Sequence, residues 1–165
     1  TSEPLAKHIN NMFKYSNNFI AEMLLRSLGS KESGIGSWPK GVDALTSWWH
    51  QMINNTPPAY NNGSGMGGGN KATPQDILNL LSYVERQPWR HEYYGAMPLA
   101  GVDGTLMGRF ENSAFKGNLR GKTGTLKTFG AINLAGVFDV NGKTYNYVFF
   151  IKSPKTMCKT SWYKN

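Results

Sequence analysis

Two short polar blocks hold the residue types that could do chemistry: Ser16-Asn17-Asn18 near the start, and Lys122-Thr123-Gly124-Thr125 in the last third. A lysine and two hydroxyls along a strand bordering a cleft suit a carboxylate, the ammonium supplying charge and the hydroxyls supplying donors. Gly124 lets a substrate backbone come close. The same strand, without a partner, is also an ordinary polar strand. A Ser two residues before an Asn is equally explained by a helix start. Gly117-Asn118-Leu119-Arg120-Gly121-Lys122-Thr123 imitates a phosphate-binding loop but fails twice. Its glycines are one residue too close, and the residues after Thr123 read as strand rather than as the helix whose amides hold phosphate.

The elements that must position these blocks emerge from periodicity. Leu5, Ile9, Met12 and Phe13 recur at helical spacing, and Phe19, Ile20, Met23, Leu24 and Leu28 mark a second helix. The pattern predicts that Ser16 opens this second helix and Gly29 stops it. Residues 30–41 read as a Ser/Gly-rich loop. Val42, Leu45, Trp48, Trp49 and Met52 mark a third helix, with the tryptophans read as core. Residues 54–72 form a long loop around Gly63-Ser64-Gly65-Met66-Gly67-Gly68-Gly69, a length usually tied to function or mobility. Thr73, Pro74 and Asp76 announce a capped helix whose buried face is Ile77, Leu78, Leu80, Leu81 and Val84. Strands come next at Leu119–Thr125, Ala131–Val140 and Lys143–Ile151, the last two joined by the hairpin signal Asn141-Gly142. Helices first and an antiparallel sheet after them predict an α/β (α+β) domain or part of one.

Composition removes other classes. The chain has 165 residues, 39% of them hydrophobic, which suits one globular domain and excludes disorder and collagen-like structure. No apolar run approaches the roughly 18 residues of a membrane-spanning helix. One cysteine, Cys158, excludes an internal disulfide framework and a cysteine-based zinc cage. His8, His50 and His91 have no partner at metal spacing, so no metal or cofactor is expected. The net charge of +8 falls wholly in residues 109–165, which hold ten Lys and Arg against Glu111 and Asp139. A basic region serves nucleic acid, an anionic polymer or a carboxylate-ended substrate. With no Arg-rich helix or nucleic-acid motif beside it, nucleic acid is not expected as a partner.

The blocks also occur in an informative order. A Ser-x-Asn between two helices, with a later Lys-Thr-Gly opening an antiparallel hairpin, is a known pair of active-site elements. Four blocks carry a wider resemblance: Ser16-Asn17-Asn18-Phe19-Ile20-Ala21-Glu22, then Asn62-Gly63-Ser64-Gly65-Met66 with Thr73-Pro74, then Pro98-Leu99-Ala100-Gly101-Val102-Asp103-Gly104-Thr105-Leu106, then Arg120-Gly121-Lys122-Thr123-Gly124-Thr125-Leu126. With these the chain resembles the C-terminal part of the low-molecular-mass penicillin-binding D-alanyl-D-alanine carboxypeptidases/endopeptidases, the subgroup with a large insertion in its N-terminal half. The family usually has Asp where Asn62 stands.

The resemblance implies a penicillin-binding/β-lactamase-like transpeptidase fold, with residues 1–165 as its C-terminal portion. It implies a serine-type enzyme acting on peptidoglycan stem peptides through an acyl-serine, inhibited by β-lactam antibiotics and placed in the periplasm or otherwise outside the cytoplasm. By resemblance the catalytic residues are Ser16, a proton shuttle, Asn18, which orients the substrate amide, and Lys122, which draws the substrate carboxylate. Thr123, Gly124 and Thr125 are substrate-binding, and Thr125 lends its N–H to an oxyanion hole. Ser64 and Gly65 are secondary candidates bordering the cleft.

The family's nucleophile lies in a Ser-x-x-Lys motif ahead of Ser-x-Asn. The three matches here, Ser37–Lys40, Ser113–Lys116 and Ser161–Lys164, all come after it. The chain also begins at Thr1 without Met or a leader. The expectation is therefore a piece of a longer protein, with the nucleophile on an upstream polypeptide segment of that protein. Alternatives are a non-catalytic relative or fragment that binds cell-wall peptides, and a basic nucleic-acid binder. Asp103 is read as a turn residue rather than a catalytic one.

Overall fold

The computed structural model describes residues 2–152, except 127 and 129. Cys158 and the Ser161–Lys164 motif lie outside the described residues. The elements run α1 (Leu5–Tyr15), α2 (Asn18–Ser33), α3 (Trp38–Met52), α4 (Pro74–Glu85) and α5 (Arg90–Ala96). A 3-10 turn at Gly104–Leu106 precedes β1 (Leu119–Leu126), β2 (Ala131–Val140) and β3 (Lys143–Lys152). The strands form one antiparallel meander in the order β1-β2-β3, as the alternating pattern predicts. Asn141 and Gly142 turn the β2–β3 hairpin at φ 50° and 72°, the left-handed pair that matches strand twist.

Both faces of the sheet bury apolar residues. On one, Val137 packs with Leu81, Val84, Tyr94 and Met97, and Val148 joins from β3, so α4 and α5 cover this face. On the other, Leu119, Leu134 and Tyr147 enclose Ala100 and Leu106 from the segment ahead of β1. The Thr73 cap forms a full capping box with Asp76. Trp49 is 2% exposed, in the core as expected.

Three boundaries differ from the sequence expectation. Gly29 does not stop α2, which runs on to Gly34 at φ 74°. A Cβ at Gly29 would lie 2.6 Å from the Gly41 nitrogen, and one at Gly41 would meet the Leu25 carbonyl. These glycines let α2 and α3 touch backbone to backbone, and that packing outweighs the poor helix propensity of glycine. The 30–41 loop is shorter than expected because Ser37 caps α3 and Pro39 stands in its first turn. Ser16 does not open α2. Asn17 is its N-cap, accepting from the Ile20 N–H at 3.1 Å, while Ser16 ends α1 in the left-handed region at φ 52°. Helix α5 and the 3-10 turn carry too few periodic residues to be anticipated from spacing.

Candidate functional site

Strand β1 is an edge strand whose outer side is only partly paired. Ala100 N–H donates to Leu119 C=O at 2.9 Å, and Gly121 N–H donates to Pro98 C=O at 3.0 Å. Backbone groups of an antiparallel strand alternate in direction, so the N–H groups of Thr123 and Thr125 face the same outer side, beyond this pairing. Lys122 points to the opposite face from Thr123. The strand therefore presents an ammonium, two hydroxyls and two edge amides around one open stretch.

The α1–α2 corner meets Lys122. Its Nζ donates to Ser16 Oγ at 2.6 Å and to Thr123 C=O at 2.7 Å. Burial pushes the Lys122 ammonium down from 10.5 to about 8, so it remains charged at neutral pH. The left-handed Ser16 backbone is uncommon for a residue other than Gly, Asn or Asp. This sharp corner carries the Ser16 hydroxyl to the strand and leaves Asn18 exposed in the first turn of α2. Ser16 and Lys122 are thus brought together, while Thr123, Gly124 and Thr125 continue the strand beside them.

The corner is held by a segment whose tertiary role spacing did not disclose. Lys14 Nζ donates to both Asp103 carboxylate oxygens at 2.8 and 2.7 Å and to Met97 C=O at 2.7 Å. Asp103 also accepts from the Leu99 N–H at 2.8 Å. Burial alone would raise its pKa, but the Lys14 ammonium and the Leu99 N–H hold the carboxyl below its usual value. Asp103 is a turn residue, as its Gly-x-Asp-Gly setting predicts, with the added task of tying that turn to α1. Thr123 Oγ1 shares a hydrogen bond with Thr105 Oγ1 at 2.9 Å. Neither Lys14 nor Thr105 stood out as a functional residue in the sequence. The available signal was the polar run Asp103-Gly104-Thr105 between apolar neighbours.

Ser64 and Gly65 sit elsewhere in the hydrogen-bond network. Glu22, one turn into α2, accepts from Ser64 Oγ, from the Ser64 N–H at 3.0 Å and the Gly63 N–H at 3.1 Å, and from the Trp38 indole at 2.8 Å. Burial raises the Glu22 pKa, but these donors outweigh it and leave the carboxyl below its ordinary value. Asn62 closes the turn by accepting from the Gly65 N–H and donating to Met66 C=O, a donation that a carboxylate could not make. Ser64 lines a cavity of about 670 Å³ with Glu22, Trp38, Tyr60 and Met66, which does not include Ser16, Asn18 or Lys122. Among the Ser-x-x-Lys matches, the Ser37 hydroxyl caps α3 and the Ser113 hydroxyl donates to Phe110 C=O. Both hydroxyls hold local backbone.

Comparison with known proteins identifies the family. The model of the D-Ala-D-Ala carboxypeptidase 3 (S13) family matches residues 1–160. The chain is 31% identical over 139 residues to a D-alanyl-D-alanine carboxypeptidase of an Actinomadura species, covering 81% of this chain and 26% of that protein. It is 31% identical over 160 residues to a D-alanyl-D-alanine carboxypeptidase of Haemophilus influenzae, covering 94% of this chain and 33% of the relative. The crystal structure of penicillin binding protein 4 from Haemophilus influenzae, complexed with a β-lactam, superposes with a TM-score of 0.84 at 31% identity. That match covers 92% of this chain and 36% of the other. The chain therefore spans about a quarter to a third of the length of these relatives.

Proposed function

Because the chain belongs to the D-Ala-D-Ala carboxypeptidase 3 (S13) family, we propose that it supplies one wall of a serine-type active site that cleaves peptidoglycan stem peptides ending in D-Ala-D-Ala. The observation that carries this reading is the 2.6 Å hydrogen bond between Lys122 and Ser16, which joins two motifs 106 residues apart. The attacking serine and its lysine belong to an upstream polypeptide segment of the complete protein. In support, the Ser37 hydroxyl caps α3 and the Ser113 hydroxyl is held by the Phe110 carbonyl of its own turn. Tyr15 and Phe19, on either side of the corner, are 72% and 71% exposed, as suits a site that further polypeptide completes.

In this reading Lys122 attracts the terminal carboxylate of the stem peptide, and Thr123 and Thr125 donate to it. The Thr125 N–H on the open edge stabilises the oxyanion of the tetrahedral intermediate, an arrangement in which preorganised donors are worth most. Ser16, held by the Lys122 ammonium, passes a proton between the attacking group and the leaving amine. Asn18 orients the substrate amide. Gly124 keeps the strand surface clear for the peptide. β-Lactams, which carry a carboxylate beside a reactive amide, enter the same site and acylate the same serine. The substrate lies outside the cytoplasmic membrane, and there the complete protein works. No described helix is long and apolar enough to cross a membrane.

The test is release of D-alanine from a pentapeptide stem by the complete protein, with and without penicillin. Release that penicillin blocks supports the reading. No release, together with no penicillin acylation, would leave the chain as a peptide-binding relative without catalysis.

A further inference from the structure

We propose that Thr105 is a positioning residue for carboxylate recognition, its hydroxyl setting the direction in which the Thr123 hydroxyl donates. The proposal rests on the reading above, in which Thr123 binds the terminal carboxylate of the substrate. The two hydroxyl oxygens are 2.9 Å apart and part-buried. A hydroxyl has a single proton and two lone pairs. In the free site Thr123 donates to Thr105. When an anion arrives, Thr123 must give its proton to the anion, and its oxygen then needs a donor of its own. Thr105 supplies one by rotating its O–H toward Thr123. The pair thus reverses direction, so that the Thr123 oxygen keeps a hydrogen-bond partner when its proton goes to the anion, and the Thr123 donor is polarised by the hydroxyl behind it.

Thr105 can do this because its segment is anchored at both ends. Asp103, two residues earlier, is held by Lys14 and by the Leu99 N–H. Gly104 comes so close to α1 that a Cβ there would lie 2.6 Å from Lys14 C=O. Gly101 N–H donates to Leu106 C=O at 3.0 Å, closing the turn on itself. Leu99 bridges Arg120 of β1, and Ala100 N–H donates to Leu119 C=O. The turn that presents Thr105 is therefore referenced to both the strand with Lys122 and Thr123 and the helix that ends at Ser16. A residue there to fill space would need neither the hydroxyl nor this double anchorage.

The experiment compares Thr105→Val and Thr105→Ser in the complete protein, on a stem peptide with a free C-terminal carboxylate and on its C-terminal amide. Valine keeps the branched shape and removes the hydroxyl. Thr105→Val should lower kcat/KM for the carboxylate peptide about tenfold, roughly one net hydrogen bond. Most of the change should appear in KM, and the amide peptide should change little. Thr105→Ser should restore the preference. Should Thr105→Val not fold, Thr105→Ala gives the same comparison. Equal losses on both peptides, or none, would overturn the proposal and leave Thr105 as packing. Lys122→Ala separates the two readings. If it abolishes the carboxylate preference while Thr105→Val does not alter it, only the role of Thr105 falls. If Lys122→Ala alters neither peptide, the carboxylate site and the Thr105 role fall together.

Discussion

Replacing Lys122 by alanine removes an ammonium that touches two groups at once, Ser16 Oγ at 2.6 Å and Thr123 C=O at 2.7 Å. A hydrogen bond to a charged group contributes about 1.5–3 kcal/mol net. Loss of one preorganised donor at a reacting centre costs about 2.7–4 kcal/mol in transition-state stabilisation. On the proposed reading the Lys122 contacts fall between these cases, because there the ammonium both fixes the Ser16 hydroxyl and meets the substrate charge. Lys122→Ala should therefore slow acylation by about 2–4 kcal/mol, or roughly 30- to 1000-fold. The assay is the second-order rate of penicillin acylation of the complete protein, measured by quenching and intact mass. Lys122 pairs with no acid among the described residues, and its removal relieves a buried charge, so the variant should fold with native circular dichroism. Acylation at the normal rate by a folded Lys122→Ala protein would refute the assignment of this strand to the site.

Hydrolysis of carboxylate-ended peptides should fall as pH rises through about 8, where the buried Lys122 ammonium loses its proton. Lys122→Arg should remove that fall, since a guanidinium stays charged, and a pH–rate profile on both proteins checks it. The sign for stability is opposite. The unfolded chain keeps the lysine protonated up to its ordinary value of 10.5, so it binds more protons than the native state between about 8 and 10.5, and this group makes stability rise with pH there. Gly63→Ala should detach the 62–66 turn from α2, because its Cβ would run into the Ala21 carbonyl. The expected outcome is a loss of about 1–3 kcal/mol, comparable to an overpacked core site, read as a lower denaturant midpoint.

Much of the fold was legible because its signals are local. The capping box at Thr73 and Asp76, the Asn141-Gly142 hairpin and the alternating strands each act within a few residues, and each formed as spacing predicts. The misread boundaries are tertiary. Gly29 resembles a helix stop until Gly41 is seen packed against it. Ser16 resembles an N-cap by type, but the neighbouring Asn17 takes that place and frees the Ser16 hydroxyl for Lys122. Of the site, the residue types in Ser16-Asn17-Asn18 and Lys122-Thr123-Gly124-Thr125 were visible as motifs. The Lys14–Asp103 pair and the Thr105–Thr123 contact were not, because they join positions 89 and 18 residues apart and no spacing rule reaches so far. Ser64 drew notice through its glycine-rich setting, yet its hydroxyl goes to Glu22.

The central claim is that this chain forms one wall of an acyl-serine site whose nucleophile lies upstream. Intact-mass analysis and peptide mapping of the complete protein after incubation with penicillin test it most directly. A single penicilloyl group on a serine N-terminal to residue 1, in a Ser-x-x-Lys sequence, is the predicted result. A penicilloyl group on Ser37, Ser113 or any other residue of this chain would contradict it.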